Sequence, residues 1–366
     1  MSILLSQLIE TMETIAPTRH AESWDNVGLL AGDPQQAISR AIVCIDYTAE
    51  VAAEGQRLGC DAVIAYHPVI FEGLKRVTAG SVVFDALRRG LPIYSPHTAW
   101  DVAPGGVNDF LMDILGVSGR RALRPAAAKA TACKLVVFTP AEAIEKVSQA
   151  MFGAGAGRIG NYSGCSFRAP GTGTFFGEEG ANPAVGQAGR FEQVEELRLE
   201  TIVPLANLER VVAAMRAAHP YEEPAFDIIP LQPPPDGLGQ GRIGRFDAPV
   251  ERRELLQRIR KGLGLSQLLV AGPVDGTVSS VACLAGAGGE HLKDALEQQA
   301  GLYLTGEIRH HDALKAAQRG MTVVCTLHSN SERASLSRLA DRVRERLPGL
   351  ELRLSAADRD PFAVIG

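Results

Sequence analysis

The chain has 366 residues, 46% apolar and 22% charged, with a formal charge of −5, which describes a folded protein long enough for two or three domains. That balance excludes a disordered chain, and with no Lys/Arg-rich block a nucleic-acid partner is not expected. No apolar run approaches the length of a membrane span, so no membrane partner is expected either.

In chain order, "SILLSQLIETMETIAP" reads as an amphipathic helix stopped by Pro17 rather than as a leader, because it lacks a positive flank and a cleavage site. "RAIVCID" (40–46) is a predicted strand, "AEVAAEGQRLG" a helix ending at Gly59, and "DAVIAYH" the next strand. "VVFDALRRG" is a helix ending at Gly90, and "LPIYSPH" another strand. The same order returns near the C-terminus as "SSVACLAG", "GEHLKDALEQQAG", "LYLTGE", "HHDALKAAQRG" and "MTVVCTLHSNSE". Both series end in His-x-x-x-carboxylate, His97 to Asp101 and His328 to Glu332, while His67 and Glu307 fall in the same register. A duplication into two similar α/β lobes accounts for the match, and chance likeness of generic α/β units is the competing account.

Between the two series the pattern changes. "RPAAAKATA" (124–132) and "PLQPPPDGLGQGRIG" (230–244) read as linkers. They bracket "CKLVVF", a helix with Thr139 as N-cap and Pro140 as its first residue, "ELRLETIVP", a helix capped by Asn207, and "AFDIIPL". Two strand–helix–strand units in about a hundred residues suggest a ferredoxin-like α+β insert. The expected organisation is an α/β body built from 1–125 and 240–366, with an inserted domain at 126–235.

Four polar residues fall at predicted carboxyl ends of strands, the edge where open α/β sheets place their sites: His67, Asp101, His328 and Glu332. Two imidazoles and two carboxylates suit Zn(II), Fe(II) or Mn(II), one or two ions per chain if a carboxylate bridges. Taken singly, each has a plainer reading: His67 before Pro68 as a strand cap, Asp101 as a turn residue, and Glu332 as an acid in a helix's first turn. The Gly-x-Gly-x-x-Gly matches at Gly155-Gly157-Gly160 and Gly239-Gly241-Gly244 do not sit between a strand and a helix, so they do not predict a dinucleotide site. Six scattered cysteines without paired spacing read as reduced core thiols of a cytoplasmic protein.

"SWDNVGLLAGDP", "YHPVIF", "SPHTAWDVAPGGVND", "TGEIRHHDALKAAQRG" and "LHSNSER" resemble, in order, motifs of the GTP cyclohydrolase I type 2 homologue family. "GRIGNYSGCSF" and "HPYEEPAFDIIPL" resemble the PII/CutA-like insert of its longer members. The resemblance implies a dinuclear metal centre on His67, Asp101, His328 and Glu332, and a homohexamer. Where the common pattern has a histidine this chain has Tyr66, and a neutral phenol is a poor ligand, so a symmetric metal pair is in question. His97 and Glu307 are the candidate catalytic residues, His97 to orient Asp101 or meet substrate and Glu307 with His311 to fix ligands. Trp24, Asp25 and Asn26 are expected to wall the cleft, and a tight loop with a packed aromatic before Gly28 is an equal reading of "WDN". The implied activity is a metal-dependent hydrolase using metal-activated water on a small substrate, a nucleotide such as GTP or a relative. The alternatives are a non-catalytic hexameric metal-binding scaffold whose insert senses a ligand or partner, and a metal chaperone.

Overall fold

A computed structural model describes residues 2–126, 130–231, 237–363 and 365. The chain divides into two compact units, Met1–Ala126 with Gly237–Gly366, and Ala127–Asp236.

The first unit holds two mixed sheets. In the five-stranded sheet the order is Glu351–Leu354, Arg40–Cys44, Ala62–Ala65, Ile93–Ser95 and Gly28–Ala31, parallel except at the last edge. In the six-stranded sheet the order is Leu269–Ala271, Thr322–Cys325, Leu302–Glu307, Thr277–Ala287, Gly239–Glu251 and Arg120–Pro125, with the Thr277–Ala287, Leu302–Glu307 and Thr322–Cys325 strands parallel. Each parallel set is strand, helix, strand, helix, strand, the helices being Ala49–Arg57 and Val82–Arg88 in one and Leu292–Glu297 and His310–Gln318 in the other. Gly59 and Gly90 follow the first two helices at φ +67° and +63°, a left-handed turn that costs glycine little.

Successive side chains of a strand point to opposite faces, and here both faces are apolar, as buried parallel strands require. Val43, Ile64, Val281, Leu304 and Val324 enter one apolar cluster shared by the two sheets. Their neighbours Ile42 and Val63 pack under the helices of the first sheet, and Ala282, Tyr303 and Val323 under those of the second. The carboxyl ends of the parallel strands therefore come from two sheets that share one core.

The second unit is a four-stranded antiparallel sheet with two helices, Ile144–Gly153 and Leu208–Ala218. Its strands, Ala132–Thr139, Ser166–Phe176, Phe191–Pro204 and Phe226–Leu231, lie in the order fourth, first, third, second, a split βαβ arrangement. Val137, Val147, Met151, Leu199, Val211 and Met215 form its own core.

Several local expectations change. Thr139 ends a strand and does not cap a helix, because extended Pro140 leads into a 3-10 turn, Ala141–Ala143, before the helix proper. Asn207 stands at an N-cap position, but its side chain accepts from Arg210 rather than from the helix backbone. Of the two expected linkers, Arg124 and Pro125 end one strand, Pro230 and Leu231 end another, and 127–129 with 232–236 lie outside the described residues. "GQGRIG" is not linker but the start of the Gly239–Glu251 strand. Its glycines permit close packing: a Cβ on Gly241 would stand 2.6 Å from the Cys283 carbonyl oxygen, and one on Gly244 2.5 Å from Val117.

That strand also brings Arg242, 5% exposed, to the first segment. Its guanidinium donates to Asp109 and to the carbonyls of Val102, Gly239 and Gly241. Arg242→Ala leaves Asp109 paired with Arg120 at 2.9 Å but takes the donor from three carbonyls, so it is expected to lower stability by about 1–3 kcal/mol in chemical denaturation, and Arg242→Lys, which cannot serve all four acceptors, to recover only part of it.

Candidate metal centre

His328 and Glu332 lie on the short helix His328–Arg333 that follows the Thr322–Cys325 strand, and their i, i+4 spacing turns both side chains to one face. His67 follows the Ala62–Ala65 strand of the other sheet. Ligand atoms of these three residues lie within 4.8 Å of one another, the one such group of three or more His, Cys, Asp or Glu among the described residues. The Glu332 carboxylate, 4% exposed, stands between the imidazoles: Oε1 is 3.3 Å from His328 Nε2, and Oε2 is 3.3 Å from His67 Nε2. The second contact is close but is not an aligned hydrogen bond, so Oε2 is buried without a hydrogen-bond partner.

Each imidazole is tied at its far nitrogen to a carboxylate. His67 Nδ1 is 2.9 Å from Asp46 Oδ1, and His328 Nδ1 is 3.0 Å from Glu307 Oε1. His97 is held likewise, with Nδ1 2.8 Å from Asp25 Oδ1. Burial works against ionisation at Asp25 and Asp46, but hydrogen bonds from His97 with Thr98, and from His67, hold both carboxyls below their usual range. An ionised carboxylate only accepts, so Nδ1 donates and Nε2 is presented to the cluster, the arrangement that orients metal-binding histidines. The rings of His97 and His328 lie 5.2 Å and 5.4 Å from that of His67.

Asp101 lies outside the three-residue group. Its Oδ1 accepts a hydrogen bond from the Tyr66 phenol, which is 1% exposed. Burial, reinforced by the Asp101 and Glu332 charges, holds that phenol far above its usual range, so it keeps its proton. Asp101 is itself pushed up to about 6, chiefly by burial and further by Glu332, against neighbouring His97 and the Tyr66 hydrogen bond.

Asn26 reaches away from the cluster to donate to the Ile70 carbonyl, and His311 sits on the exposed first turn of its helix with its ring 5.3 Å from His310. Asp46 escaped the sequence reading, although it stands just past a strand end like the residues that were chosen. Two of the three non-glycine residues with positive φ among those described are at this site: His97 (φ +24°) and Leu327 (φ +70°, ψ 154°), each where a strand turns into a short helix. Such strain persists only where surrounding contacts enforce it.

A cation fits these residues on two observations: the orphaned Oε2, and the close approach of Gly286, where a Cβ would stand 2.8 Å from Glu332 Oε1 and 3.2 Å from His328 Nε2. The donor set also fits, since two imidazoles and a carboxylate are a common catalytic set.

Over residues 3–361 the chain matches the family Duf34/NIF3 (NGG1p interacting factor 3). The chain belongs to the NIF3 family. A Halalkalibacterium halodurans protein called GTP cyclohydrolase 1 type 2 homolog is 35% identical to it over 98% of both chains. A Mycobacterium tuberculosis protein of the same name is 39% identical over 86% of this chain and 84% of its own. Among solved structures, a Bacillus cereus protein related to NIF3 superposes with a TM-score of 0.68 at 33% identity, covering 99% of both chains. A Staphylococcus aureus protein at 24% identity, TM-score 0.76 and 99% coverage of both shares the fold. This NIF3 chain is a mixed α/β protein, and among its described residues no helix is long and apolar enough to cross a membrane. All six of its cysteines are free thiols, four of them buried.

Burial pulls His67 toward the neutral form, but its hydrogen bond to Asp46 and the nearby Glu332 carboxylate push it up to about 10, so without metal a proton occupies the gap beside Glu332. A cation binding His67 at Nε2 must displace that proton. Affinity for Zn²⁺ or Mn²⁺ is therefore expected to rise about tenfold per pH unit between about pH 6 and 8, with a matching proton release when titrations are repeated in buffers of different ionisation enthalpy.

Proposed function

We propose that this chain is a divalent-metal-dependent hydrolase holding one cation on His67, His328 and Glu332. The observation that carries the reading is the buried Glu332 carboxylate, with one oxygen unsatisfied, between two imidazoles whose far nitrogens are each fixed by an acid. Without metal the proton on His67 faces this buried charge, and a divalent cation would take that proton's place. When bound, the cation supplies Lewis acidity and makes water acidic near neutral pH.

The other residues have roles that follow from their contacts. Asp46 and Glu307 are positioning residues that turn His67 and His328 toward the cation. Tyr66 takes up one oxygen of Asp101 and places a phenol proton where a second cation would have to approach, so the centre is read as mononuclear. His97, oriented by Asp25, offers its Nε2 beside the cluster as the proton acceptor for an attacking water. The name shared by the relatives supports a nucleotide as the substrate class, GTP being the first to try. The repeated strand–helix order of the two sheets supports two duplicated lobes, and the split βαβ unit supports a PII/CutA-like insert suited to a regulatory ligand. A homohexamer and a cytoplasmic setting are part of the same reading.

Elemental analysis of anaerobically purified protein tests it. About one divalent ion per chain is expected in the wild type, close to none in Glu332→Gln, and about two in Tyr66→His. Asp101→Asn should keep its single ion. Formate or phosphate release from GTP should fall with the ion in Glu332→Gln. Two ions per wild-type chain, or unchanged content in Glu332→Gln, would refute the assignment.

A further inference from the structure

Beside the candidate centre stand two aromatic rings that the hydrolytic reading leaves unused. Phe71 and Trp24 are 50% and 59% exposed, with ring centroids 5.9 Å apart and planes tilted by 54°. Trp24 meets His97 edge-on at 6.1 Å, and His97 lies 5.2 Å from His67. These rings therefore lead from solvent to the histidine cluster.

An indole left in water gives up a large apolar burial, and on a slack loop it would fold down onto its neighbours. This loop is not slack. The Asp25 side chain, fully buried, accepts from His97, from the Thr98 amide and hydroxyl, and from the Asn26 amide. Glu22 accepts from Gln240 through its side chain and donates its amide to the Thr98 hydroxyl. Asn26 in turn holds the Ile70 carbonyl, next to Phe71. Trp24 is thus held outward by the same acid that orients His97.

We infer that Trp24 and Phe71 form a stacking shelf for a planar heteroaromatic ring of nucleobase size, carried by the substrate of this centre. The inference deepens the hydrolase reading and rests on it for the substrate's reacting end. Two tilted rings make an open angle that takes one flat ring against a face. A ring on Trp24 has His97 at its edge and the cluster one ring further on.

The experiment uses the full chain with guanosine and adenosine as probes and ribose 5-phosphate as a ring-free control. The sequence has two tryptophans and Trp100 is fully buried, so quenching of the solvent-exposed emission reports Trp24. Both nucleosides are expected to quench it in metal-stripped and metal-loaded protein alike, and ribose 5-phosphate to leave it unchanged. By equilibrium dialysis, Trp24→Ala and Phe71→Ala should each bind guanosine about tenfold more weakly, and Trp24→Phe should retain most of the affinity. Equal guanosine affinity in Trp24→Ala, no nucleoside binding by the wild type, or a change of assembly size in Trp24→Ala by sedimentation would overturn the shelf. Because the metal-stripped protein is measured too, loss of the metal assignment alone leaves this result standing.

Discussion

Taking the Glu332 carboxylate out of water is the constraint around which the rest of the body is arranged. At 4% exposure it has lost most of its hydration, and among the described residues no lysine or arginine pairs with it. What it has instead is an imidazole on each oxygen, and behind each imidazole a second acid. Two sheets have to share one core for this to happen, because His67 comes from one and His328 with Glu332 from the other. Arg242, Asp109 and the glycine-bearing strand tie the first outer segment to the second.

The site also shows a division of labour among acids that composition conceals. Asp25, Asp46 and Glu307 each take one imidazole at Nδ1, Glu332 faces two at Nε2, and Asp101 takes a phenol. Of these five acids, Glu332 is the one with a buried oxygen that has no hydrogen-bond partner among the described residues. The carboxylates that orient therefore differ from the one that would bind, although all are acids near strand ends. The strain at His97 and Leu327 belongs to this arrangement: each sits where a strand must turn abruptly to aim a histidine, and the aim is maintained by the contacts behind it.

Much of the body was legible before any coordinates. Short continuous apolar runs and the glycines after helices placed the strands 40–44, 62–65, 302–307 and 322–325 within a residue or two, whereas Asp101 and Glu332, expected at strand ends, stand on the short helices His97–Val102 and His328–Arg333 that follow them. Local rules failed where a competing contact prevailed. Extended Pro140 delayed a helix that Thr139 was expected to start. "GQGRIG" looked like loop because close packing, which only glycine allows there, reads as flexibility in a sequence. Asp46 and Asp25 were not distinguished as orienting acids because nothing in the spacing ties them to His67 and His97, which meet them only in the fold.

The amino-acid sequence by itself determined the elements, the family and the chemical types at the strand ends, since periodicity, caps and motif spacing are local properties of the chain. Which of those polar residues meet was decided only by the tertiary structure. His67 and Glu332 are separated by most of the chain and come within 3.3 Å because two sheets bury one face in common. Asp101, equal to Glu332 in the sequence pattern, takes the Tyr66 phenol instead. Hydrogen-bond partners of that kind depend on distance and direction in space, which no spacing along the chain encodes.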